Sequence, residues 1–246
     1  MFRKSLTTFT LLACFLNLLP AARGEDKSRQ DGAAHSAIRP EPRQGQWMAR
    51  HQKMNERVKQ GNVDLIFIGD SITQGWEGPG KEVWQKFYGD RNAVNLGISG
   101  DRTQHVLWRL DNGNIDGISP KLAVIMIGPN NSGDNSPREI ADGITAIVEK
   151  LRKKLPQTKI LLLGVFPRGA EPGDARRKVN EQTIEIVKKL ANDKMVVYQD
   201  LASDFLEKDG TLSRSIMPDL LHLSRQGYTI WAESIEPNVK KMMGES

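Results

Sequence analysis

Three residues that can build an activated nucleophile occur in the chain order Ser71, Asp219, His222. A serine hydroxyl is a weak nucleophile and needs a base within hydrogen-bond reach. An imidazole titrates near neutral pH and can take the hydroxyl proton. A carboxylate three residues before the imidazole can accept its other N–H and fix the tautomer. Either piece alone would indicate an ordinary turn, but together they predict catalysis with Ser71 as nucleophile, His222 as base and Asp219 as its partner.

Two further loops offer hydrogen-bond donors for a negatively charged reaction intermediate. Gly100 has no side chain, so a substrate oxygen can approach its backbone N–H closely. The side-chain amide of Asn130 supplies another donor, and the backbone N–H of Ser71 a third. The sequence therefore predicts an oxyanion hole built from Ser71, Gly100 and Asn130.

The motifs of metal-dependent and nucleotide-dependent enzymes do not occur in the sequence. It contains no His-Glu-x-x-His, no pair of cysteines and no Gly-x-x-x-x-Gly-Lys loop. Thr73 stands where the nucleophile elbow of the α/β hydrolases, Gly-x-Ser-x-Gly, has its second glycine. We therefore expect neither a metal nor a cofactor, and a different serine-bearing turn.

The candidate residues follow apolar runs that are typical of buried strands. These runs alternate with amphipathic helix-like stretches, which indicates an α/β fold with a parallel sheet covered by helices on both faces. Ligand sites in such folds lie at the carboxyl ends of the strands, so the sheet would bring the candidate residues to one edge. The predicted strands are 63–68, 93–96, 122–127, 160–166 and 195–198, and the predicted helices lie near 47–60, 80–88, 103–112, 137–155 and 174–192, with a last one after Ser224.

The chain is predicted to consist of a leader, a linker and one domain. Residues 1–24 have a basic start, a mostly apolar stretch and small residues at the end, as in a signal peptide. The apolar stretch is short for a spanning helix, which needs roughly 20 residues, so we expect no stable membrane insertion after cleavage. Residues 25–45 are polar and are predicted to be a flexible tether, and 46–246 form the hydrolase domain. A secreted or periplasmic location follows, with cleavage or retention of the leader left open.

Charge and cysteine content narrow the classes of partner and chemistry. The net charge is +5, but residues 1–24 carry three cations and no acid, so the remainder has a net charge of +2. This balance gives little support to a nucleic-acid partner. The single cysteine, Cys14, lies in the predicted leader. The exported part would therefore form no disulfide and would rely on its core for stability.

Four ordered blocks of the sequence resemble those of the SGNH (GDSL) hydrolases. They lie at Gly69–Ile72, Gly100, Gly128–Asn131 and Asp219–His222. The chain is most similar to one branch of that family, the catalytic subunits of intracellular platelet-activating-factor acetylhydrolase. This resemblance covers about residues 46–240 and includes the stretches 47–48, 95–101, 105–110, 167–169 and 222–228.

The resemblance implies a flavodoxin-like three-layer α/β/α fold with a central parallel sheet of about five strands. It also implies metal-free ester hydrolysis through an acyl-enzyme, with the triad and oxyanion roles at the positions named above. The relatives form dimers, so a homodimer is an open expectation. Where this branch usually has threonine, the chain has Pro129, which removes a backbone N–H and stiffens the loop. The relatives are intracellular, so we expect a different natural substrate for an exported chain.

The main hypothesis is an exported serine ester hydrolase that removes short acyl groups, acetyl above all, from a small-molecule or glycan ester. Ile72, Pro129 and Leu221 adjoin the functional residues and are predicted to form the apolar walls of a small acyl pocket. One alternative is a non-catalytic carbohydrate-binding or adhesion module on the same fold. Another is a thioesterase or lysophospholipase that uses the same machinery. The alcohol part of the substrate and the oligomeric state are left open by the sequence.

Overall fold

The computed structural model describes residues 1–2, 34–192 and 194–245. Apart from residues 1–2, the predicted signal peptide lies outside the described residues, as does the first part of the predicted tether. The helices are α1 Gln46–Lys59, α2 Ser71–Gln74, α3 Lys81–Tyr88, α4 Thr103–Asp111, α5 Pro137–Lys154, α6 Ala175–Val187, α7 Ala202–Phe205 and α8 Arg225–Met243. The strands are β1 Leu65–Gly69, β2 Ala93–Gly97, β3 Leu122–Met126, β4 Lys159–Leu163 and β5 Val196–Gln199.

The five strands form one parallel sheet in the order β2-β1-β3-β4-β5. This is the flavodoxin-like strand order, in which the chain first adds a strand on one side of β1 and then continues on the other. The crevice at that reversal lies between the carboxyl ends of β1 and β3. The predicted parallel α/β fold is confirmed.

Side chains of alternate residues in β1 enter two separate cores, because neighbouring strand residues point to opposite faces of a sheet. Ile66 and Ile68 pack in a cluster with residues of α1, α4, α5 and α6. Leu65 and Phe67 pack in a second cluster with residues of α3, α7 and α8. The sheet is therefore buried on both faces, which gives the three predicted layers. Among the described helices, none has the length and apolar character needed to cross a bilayer.

Two predicted elements end earlier than the apolar pattern indicates. β4 ends at Leu163, which pairs with Gln199, the last residue of β5. The apolar run continues to Phe166, but a strand extends only as far as a neighbour can pair with it. Similarly, α6 ends at Val187 and is followed by a short 3-10 turn over Lys188–Leu190.

The prediction of a tether with little to bury is wrong for residues 34–45, which we call the N-terminal strap. A 3-10 turn over Ser36–Ile38 lies in the strap, and Ala37 is fully buried. The Thr103 hydroxyl donates to the Ala37 carbonyl at 2.7 Å, and the Asn135 amide donates to the Ser36 hydroxyl at 2.9 Å. The polar composition of this segment predicted that it would be solvated, but its Ser36 hydroxyl and its Ala37 carbonyl form hydrogen bonds with the domain instead.

Candidate active site

Ser71 lies at the sharp turn between β1 and α2. Asp70 caps α2, because its Oδ1 accepts the backbone N–H of Ile72 at 2.9 Å. The turn also needs a residue without a side chain at Gly69, where a Cβ would lie 2.4 Å from the carbonyl oxygen of Met126. Ser71 is therefore held as the first residue of a helix at the carboxyl edge of the sheet.

His222 and Asp219 lie in a turn that precedes α8. The Asp219 Oδ1 accepts the backbone N–H groups of Leu221 and His222, at 3.1 and 2.7 Å. Leu220 adopts a positive φ of 63°, which is uncommon for a residue with a side chain. Its carbonyl accepts the backbone N–H of Gly169 at 2.9 Å, which ties this turn to the loop after β4. Backbone hydrogen bonds thus fix the turn that carries both side chains.

The structure brings the serine, the histidine and the carboxylate into one hydrogen-bonded chain. Ser71 Oγ lies 2.9 Å from His222 Nε2, and His222 Nδ1 lies 2.6 Å from Asp219 Oδ2. An ionised carboxylate only accepts hydrogen bonds, so Nδ1 carries the proton and Nε2 is free to accept the serine hydroxyl. This is the arrangement that a general base requires before it takes a proton from a nucleophile.

The carboxylate of Asp219 is only partly enclosed and is charged. Burial acts to raise the pKa of Asp219, but hydrogen bonds from the side chain and backbone of His222 outweigh it and hold the pKa below its ordinary value. The side chains of His222 and Asp219 are 44% and 56% exposed. The site is therefore an open one, which solvent and a bulky substrate can reach.

The predicted oxyanion donors lie on the loops beside Ser71. Gly100 has a φ of 75°, and no hydrogen-bond acceptor for its backbone N–H occurs within the described part of the chain. The Asn130 amide donates to the carbonyl of Asp101 at 2.9 Å and lies 3.4 Å from Asp70 Oδ2. Asn130 therefore lies between the residue after Gly100 and the residue before Ser71. To serve a substrate oxygen, its amide must exchange one of these contacts.

Asp70 is a buried acid next to Ser71. Burial raises its pKa to about 7, and the hydrogen bond from the Ile72 backbone opposes this shift. Its carboxylate is occupied by the helix cap and the Asn130 contact, and it makes no hydrogen bond to Ser71 or His222 among the described residues. Asp70 thus acts on the shape of the turn.

The three predicted pocket walls differ in what they offer to a ligand. Ile72 is 1% exposed and packs in the second core cluster, so it does not fit the predicted role. The reason is that α2 begins at Ser71 and turns the next side chain inward. Pro129 is buried, and its carbonyl accepts hydrogen bonds from Arg168 and Ser132 at 3.2 and 2.7 Å. Leu221 is half-buried and presents apolar surface beside His222.

A buried polar network supports the Gly100 loop, and the sequence analysis did not identify it. Asp101 and Arg109 are both fully buried and form an ion pair, with Nε and Nη2 of the guanidinium 2.9 and 2.8 Å from Asp101 Oδ2. The Trp47 indole N–H donates to Asp101 Oδ1 at 2.5 Å. The signal in the sequence that could have indicated this network is Asp101, an acid that directly follows Gly100 within a stretch that resembles the family.

A separate cavity of about 800 Å³ lies between α1, α3 and the edge strand β2. None of the predicted site residues lines it, and its walls carry Arg50, Lys53 and Arg57 beside Trp84. No serine or histidine is among the residues that line it, in contrast to the Ser71 site. Across the residues that the structure describes, no group of three or more His, Cys, Asp or Glu side chains could hold a metal ion.

A parallel α/β sheet that carries a linked serine, histidine and carboxylate at its carboxyl edge is typical of serine-dependent hydrolases. The model of the GDSL-like lipase/acylhydrolase family matches residues 67–230, and the chain belongs to that family. It is therefore a carboxylic ester hydrolase.

Similar proteins agree with this family. The chain is 39% identical over 204 residues to human platelet-activating factor acetylhydrolase IB subunit alpha1, covering 80% of this chain and 87% of the relative. A GDSL-like lipase from Bacteroides thetaiotaomicron matches with a TM-score of 0.63 at 22% identity, covering 78% of this chain and 97% of that one. A catalytic mutant of an acetylxylan esterase from Geobacillus stearothermophilus matches with a TM-score of 0.59 at 22% identity, covering 76% and 96%. At these identities, the two structures support the fold alone.

Proposed function

We propose that the protein is an exported serine esterase that removes short acyl groups, acetyl above all, through an acyl-enzyme. Ser71 is the nucleophile, His222 the general base and Asp219 the acid that orients it. The observation that carries this proposal is the hydrogen-bonded chain, with 2.9 Å from Ser71 Oγ to His222 Nε2 and 2.6 Å from His222 Nδ1 to Asp219 Oδ2.

The reaction follows from the positions of these atoms. His222 Nε2 takes the hydroxyl proton as Ser71 Oγ attacks the ester carbonyl carbon, and the carbonyl oxygen becomes an oxyanion. Donors from Ser71, Gly100 and Asn130 stabilise this oxyanion. The imidazolium then gives its proton to the departing alcohol oxygen, which leaves the acyl group on Ser71. In the second half, His222 takes a proton from a water molecule as the water oxygen attacks the acyl carbon. The bond from that carbon to Ser71 Oγ then breaks, the imidazolium returns its proton to Oγ, and the acid is released.

The preference for a short acyl group has two supports. The relative that is 39% identical to this chain is a subunit of an acetylhydrolase. In the structure, Pro129 beside Asn130 is buried, and Leu220 and Leu221 beside His222 are half-buried and pack against the second core cluster. A long acyl chain would find little apolar surface to bury there.

A series of p-nitrophenyl esters tests this function. We expect the value of kcat/KM for the acetate to exceed that for the octanoate at least about tenfold, the scale of one or two methylenes in a restricted pocket. Ser71→Ala removes the activity, while Ser203→Ala, an exposed serine on α7, keeps it. Full activity of Ser71→Ala would refute the nucleophile, and faster cleavage of the octanoate would refute the short-acyl preference.

The same assay addresses the alternatives that the sequence left open. Matched acetyl esters and acetyl thioesters separate an esterase from a thioesterase. A folded protein that cleaves no ester in a panel of acetylated sugars, phospholipid analogues and simple esters would favour a binding module. Because we propose that this enzyme is exported, we also propose acetylated carbohydrate as its natural substrate class.

Export rests on the leader-like composition of residues 1–24. Mass spectrometry of the protein recovered outside the cytoplasm tests it. We expect a new N-terminus near Glu25, and recovery of the uncleaved chain from the cytoplasm alone would contradict export.

A further inference from the structure

We propose that Arg43, in the N-terminal strap, is a positioning residue that orients the oxyanion donor of Gly100. Arg43 acts through the peptide bond between Ser99 and Gly100 and does not touch the substrate. This inference rests on the proposed function, because it assigns Arg43 to the oxyanion hole of that reaction.

The Arg43 guanidinium lies directly on this peptide. Its Nη1 donates to the carbonyl oxygen of Ser99 at 2.9 Å. A Cβ added to Gly100 would lie 2.8 Å from Nη1 and 3.4 Å from Cζ of the same guanidinium. The guanidinium therefore occupies the space that a side chain at position 100 would fill.

The carbonyl of Ser99 and the N–H of Gly100 belong to one planar peptide unit and point in opposite directions. A bond that fixes the carbonyl therefore also fixes the direction of the N–H. The hydrogen bond from a guanidinium is charge-assisted, and it polarises the peptide so that the N–H becomes a stronger donor. This matters at a glycine, because glycine readily adopts alternative backbone conformations in which the N–H would point away.

Arg43 is held in place from two sides. Its Nη1 lies 4.0 Å from Oδ1 of the buried Asp101, which is also paired with Arg109. The strap that carries Arg43 is anchored by the hydrogen bond from Thr103 to the buried Ala37. Since Thr103 and Asp101 both follow Gly100 closely in sequence, the strap and the oxyanion loop are held by one set of contacts.

The expected effect is smaller than the loss of a donor. Removing one oxyanion donor typically costs about 10²–10³ in kcat. Arg43 acts one peptide away, and its side chain is 40% exposed, so solvent weakens its field. We therefore expect Arg43→Ala to lower kcat about tenfold, with little change in KM.

The experiment compares Arg43→Ala, Arg43→Gln and Arg43→Lys with Arg39→Ala, an exposed arginine of the same strap. With p-nitrophenyl acetate, kcat should fall in the order wild type, Lys variant, Gln variant, Ala variant, because lysine retains a charged donor and glutamine a neutral one. Arg39→Ala should match the wild type. Methylguanidinium in the assay should restore part of the kcat of Arg43→Ala and leave Ser71→Ala inactive.

A second readout separates positioning from a loss of stability. Binding of a boronic acid, which forms a tetrahedral adduct, should weaken in Arg43→Ala by the same factor as kcat, at a temperature where thermal melting shows every variant folded. A kcat for Arg43→Ala equal to that of Arg39→Ala overturns the inference, as does a loss confined to KM or to melting temperature. If Ser71→Ala is fully active, the proposed function fails; if Ser71→Ala is inactive and Arg43→Ala is unaffected, only the inference about Arg43 fails.

Discussion

At the scale of single residues, the site combines an exposed pair, His222 and Asp219, with a buried acid beside Ser71, the proposed nucleophile. Asp219 and His222 are about half exposed, whereas Asp70 is fully buried. Water screens the charge of an exposed carboxylate, so we propose that Asp219 acts mainly by fixing the orientation and tautomer of His222. The buried Asp70 shapes the serine turn through its contacts with Ile72 and Asn130.

The orienting role of Asp219 predicts the effect of Asp219→Asn. A carboxamide can donate to Nδ1 and favour the tautomer that carries its proton on Nε2, which cannot accept from Ser71. Loss of a buried triad acid costs roughly 10⁴ in kcat, and because this acid is exposed we expect a smaller loss, about 10²–10³. Initial rates with p-nitrophenyl acetate measure it, with the exposed Asp204→Asn as control. Equal rates for the two variants would contradict the role of Asp219.

The raised pKa of Asp70 predicts how stability changes with pH. Protonation of Asp70 favours the folded state, so its contribution is complete below the ordinary aspartate pKa and is lost as pH rises through about 7. Between pH 4 and pH 7, the unfolding free energy of the wild type should therefore fall relative to that of Asp70→Asn, by roughly 3 kcal/mol. Urea unfolding of both proteins across this range measures the difference. A difference that stays constant with pH would show that Asp70 is ionised throughout.

At the scale of elements, the proposed catalytic edge is assembled from the loops that follow β1, β2, β3 and β4, the turn before α8 and the N-terminal strap. The strap contacts α4 through the Thr103 hydroxyl, and the same hydroxyl accepts the Asn131 amide at 3.3 Å. Thr103 thereby joins the strap, the start of α4 and the loop that carries Asn130. The stability of the strap and the geometry of the oxyanion loops are consequently linked.

Thr103→Val tests this link. Valine matches the shape of threonine but leaves the buried carbonyl of Ala37 without its donor, a loss worth about 1–3 kcal/mol of unfolding free energy. Chemical denaturation measures it. The control is Thr145→Val, whose hydroxyl bonds the carbonyl of Ala141 within α5 and should cost less. An equal cost in both variants would show that the strap contact adds no stability.

At the scale of the whole molecule, the sheet and the grouping of the candidate residues at one of its edges could be predicted from the sequence. Continuous apolar runs predicted the strands because both faces of the sheet are buried. The parallel arrangement then required that Ser71, Gly100 and Asn130 lie at one edge. His222 and Asp219 were recognisable because they lie within one short turn, where spacing along the chain determines spacing in the structure.

The features that the sequence did not reveal depend on long-range polar contacts. The strap has the composition of a solvated segment. It is anchored by a hydrogen bond from Thr103 to the backbone carbonyl of Ala37, and because every residue has such a carbonyl, the sequence does not indicate which one is used. Asp101 pairs with the buried Arg109 and also accepts the indole N–H of Trp47, which lies 54 residues earlier in the chain. The inward direction of Ile72 depends on the residue at which α2 begins.

The composition of the site predicts that the reaction needs no metal. In the proposed mechanism, the reacting groups are the Ser71 hydroxyl and the His222 imidazole, with backbone and amide N–H donors beside them. No step of that mechanism uses a Lewis acid. Dialysis against EDTA should therefore leave kcat and KM for p-nitrophenyl acetate unchanged. A loss of activity that is restored by added divalent cations would contradict this mechanism.

The most direct test of the account is covalent labelling with a fluorophosphonate, followed by peptide mass spectrometry. We predict a single adduct on Ser71, formed at a rate that falls sharply in His222→Gln because the base is then missing. An enzyme that hydrolyses esters but is never labelled at Ser71, or that is labelled at the same rate without His222, would contradict the central claim.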